Sequence, residues 1–289
     1  ARRCLDALKP AYEAAQAAGR AVGIGLGLKN SGLGNGFLEI VRAVVRFEDD
    51  GTIEVRHCWT EMGQGVHTVA AQVAIEELDV DPARVRVIVD TTRELGAGQT
   101  TGSRGTLMGA GAVADACRAA RADGCRIGVD YEGEYRVDWT SSISSGVEQP
   151  VIHSAFGYAA QLVVVDRETG ELERVVAAHD VGRAVNPMQC VGQIEGSVHM
   201  GLGYALTEDF PCDEHGKPTL MTLRGLGIIR AKDVPPIEVI LVEEPQPRAP
   251  YGIKGVGEIG LVPTAGAVAA ALHDLDGEWR AGLPMRRSR

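Results

Sequence analysis

Apolar and polar positions change period several times along this chain, and each change marks an element. Residues 5–18 (LDALKPAYEAAQAA) carry a helical pattern, followed by the glycine-rich stretch GIGLGLKNSGLGNG. FLEIVRAVVRFEDDGTIEVRHCW then reads as two β-rich runs joined at Asp50-Gly51, a pair suited to the positive φ of a tight hairpin. In EMGQGVHTVAAQVAIEEL, residues Val66, Val69, Val73 and Leu78 lie roughly along one helical face. RVRVIVD predicts a strand, and QTTGSRGTLMGAGAVADACRAA predicts a glycine-rich turn opening into a second helix.

The second half repeats this order. AAQLVVVDRETGELERVVAAHDVG reads as a strand pair around Thr169-Gly170. CVGQIEGSVHMGLGYALTEDF reads as a helix that Gly192-Gln193 opens, as Gly63-Gln64 opens the earlier one. IEVILVEE is the strand, and GVGEIGLVPTAGAVAAAL the glycine turn and helix, with the helix starting at Pro263 or Thr264. Aligning the two glycine-rich helices matches Ser103 with Glu258, Gly102 with Gly257 and Gly105 with Gly260. The expectation is an α+β fold of two ββαβα-type units, each a sheet with helices on one face, packed around a shared cleft. Residues 1–36 form an N-terminal helix and connector, 37–125 the first unit, 126–150 a linker, 151–275 the second unit and 276–289 a tail. Helix N-termini facing such a cleft would suit an anionic, phosphate-bearing ligand.

Composition narrows the function. A chain of 289 residues with 45% hydrophobic residues can bury a large core, and a net charge of −10 with no basic tract argues against nucleic acid and anionic membranes. No apolar run reaches the roughly eighteen residues of a membrane-spanning helix. The six cysteines are scattered without a CxxC pair, so neither a zinc nor an iron–sulfur site is expected. Reduced thiols in a cytoplasmic protein fit this usage. With no signal peptide visible and the first residues already helical, the chain reads as a piece of something longer.

GVGEIG satisfies the G-x-G-x-x-G pattern of dinucleotide-binding folds, but that fingerprint needs a strand directly before it and another after its helix. PQPRAPYGIK intervenes here, and no strand pattern follows. The nicotinamide dehydrogenase reading fails on that context. Ser103-Arg104-Gly105, at a glycine-rich helix start, reads as an anion site or as plain surface. The two Gly-Gln pairs read as capping residues or as amide groups for a planar polar ligand. His67 and His199 are expected to pack, because no second ligand falls at metal spacing. Glu258 is either a helix-start acid, favoured by the dipole or paired with Lys254, or a buried base. A non-enzymatic assembly module that keeps the fold is the other alternative.

TEMGQGVHT, GQTTGSRG, AHDVGRAVNPMQCVGQIEG and KGVGE together, in order across about residues 20–275, resemble the xanthine dehydrogenase/aldehyde oxidase family of molybdenum hydroxylases. They correspond to the C-terminal part of its molybdopterin-binding region. The resemblance implies that Gly63, Gln64 and Gly65 contact the pterin, and that Thr100, Gly102, Ser103, Arg104 and Gly105 form the turn that wraps it. It makes Gln193 the second pterin-binding glutamine and Glu258 the catalytic base beside the molybdenum. The metal would be held by the pterin dithiolene, as molybdopterin or its cytosine dinucleotide form, with no protein ligand. Where purine-oxidising relatives place an aromatic and a hydroxyl residue against the substrate, this chain has Leu26 and Gly27.

The implied reaction oxidises a C–H bond of an N-heterocycle or aldehyde with water as the oxygen source. Iron–sulfur clusters, FAD and the first half of the molybdopterin region are expected on other domains or subunits of a cytoplasmic homo-oligomer. The chain by itself is expected to be inactive.

Overall fold

Helix α1 (Arg2–Ala17) leads into strand β1 (Ala21–Ser31), so the stretch expected to be a connector is largely strand. The hairpin at Asp50-Gly51 joins β2 (Glu39–Phe47) to β3 (Ile53–His57), with Phe47 opposite Ile53 and Gly51 at φ 86°. Helix α2 (Val66–Leu78) then crosses to β4 (Val85–Val89), which pairs parallel to β3. Helix α3 (Gly105–Ala122) returns the chain to β5 (Asp130–Val137), antiparallel to β2 and inside the segment expected to be a linker. The sheet order is β4-β3-β2-β5. This computed structural model describes residues 1–96 and 98–285; positions 286–289 of the expected tail lie outside the described residues.

The second sheet begins with the antiparallel pair β6 (Ala155–Val165) and β7 (Leu172–Asp180). Helix α4 (Pro187–Leu206) leads to β8 (Ile237–Val242), parallel to β7, and helix α5 (Thr264–Asp276) closes the chain. Strand β1 completes the sheet by pairing antiparallel with β6, giving the order β1-β6-β7-β8. Each sheet thus carries one edge strand, β5 or β1, beyond the three read from the sequence.

The sheets differ in how their faces are covered. In the first, Val41, Val45, Ile53 and Val55 pack against Val69, Val73, Met108 and Val113 of α2 and α3. Its strands also carry cross-strand ion pairs such as Arg42–Glu134 and Arg46–Asp130. Such pairs suit a solvated face. The second sheet packs α4 and α5 on one face, where Val163 and Val175 meet Ile194, Val198 and Val268. Leu162, Val164 and Val176 face the other way, against Cys4 and Leu8 of α1. Burial on both faces is why β6 reads as the nearly unbroken apolar run AAQLVVV.

Glycines set the spacing between sheet and helix. A Cβ at Gly23 would lie 2.0 Å from Ala271 N, and one at Gly25 would lie 2.1 Å from Pro263 O. Gly133 of β5 has the same role under α3, where a Cβ would sit 2.2 Å from Ala116 N. Among the described residues, no helix is long and apolar enough to cross a membrane.

Candidate active site

Three helices begin at one cleft. Gly65, at φ 84°, is the N-cap of α2, Gly105 starts α3, and Asn186 caps α4 by accepting a hydrogen bond from Gln189 N at 3.0 Å. The cleft is partly open to solvent, and its walls include Gln64, Ser103, Gly105, Gln189, Gln193 and Gly257. A Cβ at Gly65 would lie 2.2 Å from Gln189 Nε2, so this glycine lets the two helix starts close on each other. The Gln189 Oε1 atom is buried without a hydrogen-bond partner among the described residues. Such an acceptor is costly to leave unpaired and suits a donor-bearing ligand.

The loop before α2 is organised by Glu61, a residue the motif reading passed over. Its carboxylate accepts from Gly63 N at 2.8 Å, Gly65 N at 2.9 Å and His67 N at 3.3 Å. Burial alone would raise its pKa, but these three backbone donors outweigh burial and hold it below the ordinary carboxylate value. Gln64 accepts from Met62 N and donates to Thr60 O at 2.7 Å, which fixes its amide at the cleft wall. Gln193 lies inside α4, past its first turn; Asn186-Pro187 opens that helix, not Gly192-Gln193.

The turn before α3 divides its residues between the cleft and the core. Thr100 and Arg104 line a smaller adjoining cavity that shares Gln64, Val66 and Gly105 with the cleft. Gly102, at φ 62°, gives its carbonyl to Gly32 N at 2.8 Å. Arg104 is not the open anion donor the sequence suggested. It is buried, pairs with Glu39 at 2.8 Å, and donates twice to Gln99 O, at 3.0 and 2.7 Å. The guanidinium therefore fastens the turn to the start of β2.

Glu258 follows Gly257 of the cleft wall, and two expectations about it are corrected. Its side chain is 47% exposed rather than buried, and its cation is Lys29, with Nζ 3.2 Å from Oε2. Lys254 pairs instead with the buried Asp180 at 2.7 Å. Ser103 Oγ donates to the same Glu258 Oε2 at 2.7 Å. The turn carrying Glu258 is held from beneath by Gln161 on β6, whose Nε2 donates to Gly260 O at 2.6 Å. Gln161 in turn lies 3.2 Å from the ring of His179.

Other candidates lie apart from the cleft walls. Leu26 is exposed on β1, whereas a Cβ at Gly27 would lie 3.0 Å from the Pro263 side chain, so Gly27 serves packing of the α5 entry. His67 lies beside His57, ring centroids 5.0 Å apart, and His199 Nε2 lies 3.0 Å from Ile229 O. Among the described residues, no cluster of His, Cys, Asp and Glu could hold a metal ion. Nor, among the described residues, does any strand follow α5, which leaves GVGEIG without the context of a dinucleotide fold.

Comparison with known proteins bears on this site. The family model of the molybdopterin cofactor-binding domain matches residues 2–130 and again 123–235. The gamma subunit of the 6-hydroxypseudooxynicotine dehydrogenase complex of Paenarthrobacter nicotinovorans is 28% identical over 90% of this chain and 38% of its own length. The aldehyde oxidoreductase of Megalodesulfovibrio gigas is 27% identical over 94% of this chain and 33% of its own. The structure of aldehyde oxidoreductase from Desulfovibrio gigas superposes with a TM-score of 0.83 at 25% identity, covering 98% of this chain and 34% of that one. The chain therefore spans less than two fifths of the length of these relatives.

Proposed function

This chain belongs to the molybdopterin cofactor-binding domain family, and we propose that it is the cofactor-binding part of a molybdenum hydroxylase of the xanthine dehydrogenase/aldehyde oxidase type. The observation that carries this reading is the meeting of Gln64 and Gln193 on one cleft, beside the Ser103–Glu258 contact. The substrate class is an N-heterocycle or an aldehyde, oxidised at a C–H bond with water as the oxygen source.

The cleft fits the cofactor on its own chemistry. The amides of Gln64 and Gln193 suit a planar, polar pterin, and the buried Gln189 Oε1, without a partner among the described residues, suits one of its N–H groups. The N-termini of α2, α3 and α4 turn their positive dipole ends to the cleft, which suits phosphate in the mononucleotide or the cytosine dinucleotide form, while Glu61 and Asn186 already take His67 N and Gln189 N. Gly63, Gly65, Thr100, Gly102, Ser103 and Gly105 complete the cradle, and Arg104 acts by fastening the turn. When bound, the cofactor supplies a two-electron redox centre held by its own dithiolene. Glu258 accepts the proton released as the new C–O bond forms, in a site that the rest of the enzyme closes to water.

In this reading residues 37–125 and 151–275 are two copies of one unit, with β5 from the 126–150 segment completing the first sheet and β1 from the 1–36 segment completing the second. A pseudo-twofold would bring equivalent positions together, and Ser103 meeting Glu258 supports it. Iron–sulfur clusters and FAD belong to other domains or subunits, and a homo-oligomer is expected. The six unpaired thiols favour a reducing, cytoplasmic setting. Leu26 is kept as the candidate for the substrate face.

Turnover of Glu258→Gln in the intact, cofactor-loaded parent enzyme tests the reading, with molybdenum quantified in the same sample. A fall of about 10²- to 10⁴-fold with the metal retained is expected for loss of a general base. Undiminished turnover would return Glu258 to the status of an exposed helix-start acid and favour a non-catalytic module.

A further inference from the structure

The Glu258 carboxylate is gripped on one oxygen only. Oε2 accepts the Ser103 hydroxyl at 2.7 Å and lies 3.2 Å from Lys29 Nζ, whereas Oε1 has no hydrogen bond among the described residues. We propose that Lys29 and Ser103 are positioning residues that clamp Oε2 and so present Oε1 as the oxygen that takes the proton. The inference rests on the reading of Glu258 as the base.

Both donors are held to this task. The Lys29 ammonium has three donor positions, and its neighbours are Asn30 O at 3.1 Å, Asn30 Oδ1 at 3.2 Å and Glu258 Oε2. Asn30 is itself fixed by donating to Gly32 O at 3.0 Å. Lys29 is only 25% exposed, so its stem cannot swing freely. Ser103 adopts φ 49°, a left-handed backbone that disfavours a side chain. Its carbonyl is so close to the next segment that a Cβ at Gly255 would lie 2.0 Å from it. Gly255 N donates to Ser31 Oγ at 2.9 Å, which ties the Glu258 segment to the end of β1 that carries Lys29.

Stability does not account for this arrangement. A partly exposed ion pair contributes little to folding, and a serine in the left-handed region detracts from it. Orientation does account for it, because a carboxylate free to rotate presents its accepting oxygen in the reacting geometry only part of the time. The clamp also keeps the cation on the oxygen away from the proton transfer.

The test uses Lys29→Met, Lys29→Arg, Ser103→Ala and Glu258→Gln in the parent holoenzyme, with molybdenum content and melting temperature measured for each. Lys29→Met and Ser103→Ala are expected to lower kcat by about tenfold with KM within about twofold. Lys29→Arg should recover most of the loss. A crystal structure of the Lys29→Met holoenzyme should show the Glu258 carboxylate in more than one orientation. Wild-type kcat in Lys29→Met, or a raised KM with unchanged kcat, would overturn the clamp while leaving the base assignment intact. Full turnover in Glu258→Gln would instead overturn the underlying reading. Because Lys29 is not part of the cleft wall, its variants separate positioning from cofactor retention.

Discussion

Arg104 and Glu39 meet with side chains only 6% and 0% exposed. Removing Arg104 leaves the Glu39 charge buried without its cation, held by the backbone donors Leu33 N at 2.8 Å and Gly34 N at 3.3 Å. Arg104→Ala should therefore cost roughly 3–5 kcal/mol in urea unfolding at pH 7. A loss below about 1 kcal/mol, the range of an exposed pair, would show that water or the Leu33 and Gly34 backbone donors compensate Glu39 without its cation. Single residues are where a local motif misleads most readily. Arg104 follows a glycine and a serine at a helix start, as an anion-binding residue would, and its true partner lies 65 positions away. Glu258 shows the same limit: its apolar neighbours suggested burial, but Ile259 turns inward while the glutamate turns out. Its partner Lys29 lies on a strand that sequence pattern left as a connector.

Elements pack here according to where glycine permits it. Gly23 and Gly25 let α5 lie directly on β1, with backbone atoms where a Cβ would be. Backbone cannot yield as a flexible side chain can, so Gly23→Ala should destabilise by about 3 kcal/mol or more, beyond ordinary overpacking. Among the described residues, Gly266 on α5 has nothing within 4 Å of its would-be Cβ. Gly266→Ala should instead stabilise by about 0.5–1 kcal/mol, since alanine is the better helix former. Thermal melts of both variants check the contrast, and equal effects would refute this role for the glycines. The same glycines hid β1 from the sequence reading: alternate glycines weaken strand character, and the partner strand β6 lies far along the chain. Strands β2, β3, β4, β6, β7 and β8 were legible because branched apolar residues and turn signals delimit them locally. The start of α4 carries its own local signal, the Asn186 cap seven residues before Gln193 and the Pro187 that follows it.

Across the whole molecule, each sheet buries a histidine near the end of a central strand. His57 on β3 is pushed down to about 4 by burial and then by nearby His67, and His179 on β7 is pushed down to about 4 by burial. Both are neutral when folded, and the unfolded chain binds their protons near pH 6.5. Their contribution to stability is therefore complete above that pH and is lost as pH falls towards about 4. Roughly 2 kcal/mol per histidine should be lost between pH 7 and pH 5. Urea titrations at the two pH values measure it, and an unchanged midpoint would mean that the rings are hydrated.

Most of the elements, the α+β class, the resemblance to molybdenum hydroxylases and the set of residues to consider are all readable along the chain. Period, turn chemistry and motif order are local properties written in neighbouring residues. Which of those residues meet is a property of the folded molecule. Folding brings Gln64, Ser103, Gln193 and Gly257 to one cleft, turns Arg104 away to Glu39, and sets Lys29 and Ser103 on the same oxygen of Glu258. Those contacts join segments tens to hundreds of residues apart, where chain closure and close backbone approach govern geometry and a local pattern carries no record of the partner.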